Sequence, residues 1–178
     1  MQDSRIGHLV RGLAVWTAII GGVAIAAGAV LTTVSVSGRA LGWAGFGSIR
    51  GDYELVEAGV GFAVFAFMPF AHLTRAHAIV TILTDNFGAR ANAALVFASD
   101  LLMLAAALFL AWRHFHGMLD KLAYGETTLL LRMPLWWAYV ASMLGAVVFV
   151  VVAGYVLIAS WSNLVSATPR APQQGAGH

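Results

Sequence analysis

The chain has 178 residues, 60% of them hydrophobic and only 10% charged, with a mean hydropathy of +0.82. A water-soluble domain carries about 25% charged residues, so the composition excludes an ordinary soluble fold. A formal charge of +2 gives no footprint for nucleic acid, and the lack of cysteine excludes disulfides, thiol nucleophiles and Cys-ligated metals.

Long uncharged runs follow one another, and none alternates polar and apolar residues as barrel strands do. The expected fold is an all-α integral membrane protein: four transmembrane helices with short interfacial helical segments, in one membrane domain over residues 13–161. Residues 1–12 are a short polar start carrying Arg5 and Arg11. The first helix is expected over 13–36. Its basic start resembles a signal peptide, but a signal core has about 7–15 residues, and no charge occurs from Gly12 to Gly38. An uncleaved helix is therefore expected. Within it Gly21 and Gly28 share a face, and Gly22 and Ala26 form a small-xxx-small pair; such positions let another helix approach closely.

Residues 39–50 have Arg39 and Arg50 at their ends and Trp43, Phe46 and Ile49 at three-residue spacing. That pattern predicts a short segment in the headgroup layer, weakened as a helix by Gly42, Gly45 and Gly47. The second helix, 55–76, is the one around which the chain is organised. The acids Asp52, Glu54 and Glu57 precede an uncharged run from Ala58 to Thr74, which closes on Arg75 and His77. Crossing a hydrocarbon core of about 30 Å takes about 20 residues, and this span supplies them.

A turn with Asp85, Asn86 and Gly88 leads to the third helix, 91–112, with Asp100 near its middle. A carboxylate at the bilayer centre costs roughly 2.5–3.5 kcal/mol on insertion scales, so Asp100 must face protein or water, or carry a proton. Trp112, Arg113, His114 and His116 mark the far interface. Phe115, Leu119 and Leu122 extend a helical stripe toward Tyr124, with Gly125 as the stop, and this extension projects from the membrane or lies on it. Pro134 suits the start of the fourth helix, 135–161, which runs between aromatic belts of Trp136, Trp137 and Tyr139 and of Tyr155 and Trp161. Ala141 and Gly145 form a further small-residue pair. Residues 162–178 read as a disordered tail.

Four crossings put both termini on one side. Arg5, Arg11, Arg75, Arg90 and Arg170 share that side, and Arg39, Arg50, Arg113, Lys121 and Arg132 share the other. The count is equal, so charge does not set the orientation.

Six histidines raise the possibility of a b-type haem. His72 and His77 end the second helix, whereas His114 and His116 end the third, so antiparallel helices put them on opposite faces, roughly 30 Å apart at about 1.5 Å per residue. Interfacial histidines are the reading kept, with no cofactor and no metal in this chain. No nucleophile elbow, P-loop or dinucleotide fingerprint occurs. Glu54 and Glu57, three apart on one helix face, are either an acid pair in a site or the water-exposed start of a helix, where the dipole favours negative charge. Asp100 is a proton or ion site, or a contact to a neighbouring helix or partner subunit. With no lysine or arginine inside the other helices, a transport pathway through this chain alone is disfavoured.

Gly51-Asp52-Tyr53-Glu54-Leu55-Val56-Glu57, an aromatic-rich helix, Pro69, and Arg75-Ala76-His77-Ala78-Ile79-Val80 resemble the small membrane subunit of tripartite ATP-independent periplasmic (TRAP) transporters. Gly125-Glu126-Thr127-Thr128 and Met133-Pro134-Leu135-Trp136 resemble that family's lead into its fourth helix. The likeness spans roughly residues 13–161. One position departs: the family often has an aspartate directly after the valine of the histidine motif, where this chain has Thr81.

The resemblance implies a scaffold without catalytic activity. It would bind a large membrane subunit that carries the sodium and substrate sites, and help to dock a periplasmic substrate-binding protein, in support of uptake of a small solute such as an organic acid. It also implies a bacterial cytoplasmic membrane location with both termini in the cytoplasm. Glu54, Glu57, Arg75, His77 and Asp100 are the candidate partner or structural contacts. The alternatives are a redox membrane anchor of the b-type cytochrome kind, another small membrane-complex subunit, or a small membrane enzyme, which would need a polar cluster not found in the sequence.

Overall fold

The computed structural model describes residues 5–74 and 89–166. Over them the chain forms α1 (Arg5–Ala40), a 3₁₀ turn (Gly42–Ala44), α2 (Asp52–Leu73), α3 (Ala89–Tyr124) and α4 (Trp136–Ser166). All four α-helices are long and apolar enough to cross a membrane. The all-α membrane architecture expected from the sequence is the one observed.

Three helices overrun the bilayer. α1 and α3 have 36 residues each, about 54 Å at 1.5 Å per residue, against a hydrocarbon core of about 30 Å. α2, with 22 residues, is the only one of the four close to the bilayer's own thickness. The helix ends therefore differ from those expected. α1 starts at Arg5 and ends at Ala40, because its polar flanks contain no breaker and extending a formed helix costs little. α3 runs without interruption to Tyr124, where Gly125, the stop expected from the sequence, takes a left-handed φ of 62°. α4 continues to Ser166, so residues 162–166 of the segment read as a disordered tail are helical. The rest of that tail, the last residues of the expected second helix and the 77–88 connection lie outside the described residues. The expected interfacial helix shrinks to the 3₁₀ turn, ended by Gly45 at φ 86°. Gly47 comes so close to α1 that a Cβ on Gly38 would collide with its carbonyl oxygen.

The helices form an open layer. α1 packs along α2, α2 along α4, and α4 along α3, while α1 meets α4 lightly. Large apolar residues such as Ile20, Leu102, Leu144 and Ile158 stay exposed, as suits a surface facing hydrocarbon. Helices in lipid gain little from burying apolar area against each other, so close approach through small residues matters more. A Cβ on Gly21 would lie 2.8 Å from Ala66 Cβ, and one on Gly145 would lie 2.8 Å from the Phe65 carbonyl carbon. Both contacts converge on the turn of α2 that holds buried Ala63 and Ala66. Pro69, inside the same helix, has no N–H to give the Phe65 carbonyl, the group that Gly145 faces. Gly22 has nothing within 4 Å of an added Cβ, so among the described residues no helix packs against its pair with Ala26 there.

Two buried clusters seal the layer. Val10, Ala14, Val152 and Val156 pack with Leu73 toward the terminal side. Ala107, Phe149 and Ala153 pack with Met68 deeper in. His72, in the last turn of α2, is buried between helices, its ring edge-on to Phe149 at 6.1 Å.

Candidate functional site

The connection from α3 to α4 is a hairpin. Thr127 and Pro134 form a β-bridge, the Thr128 N–H donates to the Met133 carbonyl at 2.9 Å, and the Leu135 N–H donates to the Glu126 carbonyl at 3.0 Å. Arg132 bends the tip with φ 53°. Leu129 at that tip is 93% exposed.

Glu54 on the first turn of α2 clamps this hairpin. Its Oε1 accepts the Leu130 N–H at 2.6 Å and its Oε2 accepts the Leu131 N–H at 2.9 Å. A carboxylate holding two amides makes charge-assisted bonds, stronger than neutral ones. Gly51, at φ 76°, leaves room for the Leu131 side chain, which any Cβ there would strike. Lys121 Nζ, 2.6 Å from Glu126 Oε2, ties the hairpin base to the end of α3. On the neighbouring loop, buried Ser35 accepts the Ile49 N–H at 3.2 Å and bonds the Asp52 carboxylate. The loop side of the layer is thus fastened by polar contacts between segments distant in sequence.

Below the hairpin a cleft of about 500 Å³ opens between α2, α3 and α4, with Glu57, Gly61, Phe65, His114, Trp137 and Ser142 among its walls. The His114 ring stacks on Tyr139 with centroids 4.9 Å apart and lies 4.6 Å from Phe65, while its Nε2 is 3.1 Å from the Tyr139 carbonyl oxygen. Glu57 is exposed on the wall, and no hydrogen bond or ion pair joins it to another described residue. A shallower groove of about 540 Å³ runs between α1 and α2 past Gly28, Thr32, Val56 and Val60. Thr32 and Thr33 bond the Gly28 and Ala29 carbonyls of their own helix at 2.9 and 2.8 Å.

Asp100 is 3% exposed and accepts a hydrogen bond from the Ser160 hydroxyl on α4. Along α3 it lies about a third of the way from the start, opposite the last two turns of α4 and beside the Phe97–Trp161 ring pair.

Glu54 and Glu57 line the same cleft, but Glu54 is committed to the hairpin. Asp100 stands apart at the other end of the layer, and Arg75 and His77 lie outside the described residues. Among the described residues no group of three or more His, Cys, Asp or Glu side chains could hold a metal ion. His114 and Tyr139 were not singled out from the sequence as a pair. The separation of roughly 30 Å expected between His72 and His114 is also too large: His114 touches Phe65, seven residues from His72 on α2, or about 10 Å along the axis. The one local signal of the hairpin was a run of three leucines, Leu129–Leu131, in a connection.

Residues 28–163 match the family described as Tripartite ATP-independent periplasmic transporters, DctQ component. That is well over half of the chain. The chain belongs to the DctQ family. The match takes in the clamp, the hairpin, the cleft and both Asp100 and Ser160, and leaves out most of α1, residues 5–27. As a DctQ component the chain is the small TRAP transporter subunit, a multi-pass protein of the bacterial inner membrane. Neither a curated protein nor a solved structure matches it.

Proposed function

We propose that this chain is the scaffold on which the large, ion-coupled TRAP subunit is held in the membrane, and that its loop side helps to dock the periplasmic substrate-binding protein. The complex takes up a small solute, an organic acid by class, with sodium bound on the large subunit. Both termini are cytoplasmic and the hairpin is periplasmic. The observation that carries this reading is the open layer of a DctQ chain: its apolar sides are broad, and its polar groups fasten its own loops instead of lining a path through it.

Reconstitution tests this. The chain alone in proteoliposomes is expected to transport nothing. Together with the large subunit and the binding protein it should support sodium-driven uptake. Sodium-driven uptake by the chain alone would overturn the scaffold reading.

A further inference from the structure

The cleft under the hairpin combines an apolar wall with one unspent charge. Leu55, Ala58, Phe65, Leu135 and Trp137 give it a largely apolar and aromatic lining. Several of its other polar side chains are engaged within the chain. Glu54 holds the hairpin amides, the Ser142 hydroxyl bonds the Ala138 carbonyl at 2.9 Å, Thr128 Oγ1 accepts the Met133 N–H at 3.1 Å, and His114 faces the Tyr139 carbonyl. Lys121, the chain's single lysine, is taken by Glu126. Glu57 is the one carboxylate lining the cleft that no described residue bonds.

We infer that this cleft receives an apolar segment of the large membrane subunit bearing an arginine or lysine, and that the cation pairs with Glu57. The inference rests on the reading of the chain as a scaffold for that subunit. A body that covers the apolar walls also strips water from the carboxylate, and a charge removed from water must be paired. An arginine meets this need with two parallel bonds to the carboxylate. A phospholipid fits less well, because its phosphate would lie beside Glu57 and Glu54. The cleft volume falls in the range of about 300–1,000 Å³ common for binding sites.

The test is co-purification of the large subunit with tagged versions of this chain from co-expressing cells. Wild type should retain it. Glu57→Gln, which keeps the size but not the charge, should lower retention several-fold. Glu57→Lys should lower it about tenfold or more, since like charges then meet. Gly61→Leu should do the same by filling the cleft, where an added Cβ meets nothing within 4 Å. Each variant's elution profile alone should match wild type. As a check free of any charge change, a benzoylphenylalanine at Trp137 should cross-link to the large subunit. Undiminished retention by folded Glu57→Lys and Gly61→Leu, or cross-links to lipid only, would overturn the inference. If wild type itself fails to retain the large subunit, the scaffold reading falls instead.

Discussion

Glu54 and Glu57 stand one turn apart on α2 and end in different surroundings, one spent on two amides of the hairpin and the other open in the cleft. Asp100 is a third case, a buried acid bonded to the Ser160 hydroxyl near the end of α4. If its role is to join α3 to α4, what matters is hydrogen-bonding capacity and not charge. Asp100→Asn should then assemble and support uptake close to wild type. Asp100→Leu leaves the polar neighbours short of a partner, a loss of about 1–3 kcal/mol, visible as a lower unfolding temperature in detergent and a weaker complex. Uptake abolished by Asn in an intact complex would instead give the carboxyl group a part in transport.

At the scale of the element, the two close approaches to α2 set how the layer holds. The obstacle at Gly145 is the α2 backbone around Phe65 and Ala66, which cannot rotate away; at Gly21 it is the Ala66 methyl. Gly145→Ala should therefore destabilise by about 1–3 kcal/mol, the usual cost of overpacking, and Gly21→Ala by less. Gly22→Ala, with open space around its Cβ, should be neutral or gain up to about 1 kcal/mol from helix propensity. Thermal unfolding of the purified chain in detergent ranks the three. A Gly145→Ala variant as stable as Gly22→Ala would mean that α2 and α4 are less tightly apposed. Pro69 belongs to the same contact, since a carbonyl without its helical donor is tolerated where a neighbouring backbone lies against it.

For the whole molecule, the four helices place the hairpin and the α1–α2 loop at one end of the layer and both described termini at the other. If the termini are cytoplasmic, as proposed, single cysteines at Ser48 and Thr127 should react with an impermeant thiol reagent in whole cells, whereas one at Thr84 should not. The cysteine-free chain gives no background labelling. The reverse pattern would turn the topology over and put the cleft on the cytoplasmic side. The overrunning ends of α1, α3 and α4 fit this picture, because helix beyond the hydrocarbon provides surface for partners at either face.

Four crossings, their order and the charged ends were legible in the sequence, because hydrocarbon thickness and the cost of burying charge act on each segment by itself. The family was legible too, through motifs at Gly51–Glu57 and Met133–Trp136 that lie beside the later-observed clamp and cleft. The length of α1 was not, since water outside the bilayer tolerates helix and coil alike and only packing decides where the last turns melt, as at Ala40. Nor was the purpose of particular side chains. Glu54 looks like any acid at a helix start until residue 130, 76 positions away, brings its amide. Gly21 and Gly22 are equivalent in composition and differ only in which one faces α2. The bond between Asp100 and Ser160, the burial of His72 and the cleft that leaves Glu57 unpaired were all set by how α2, α3 and α4 lean on one another, a relation between segments that no segment encodes alone.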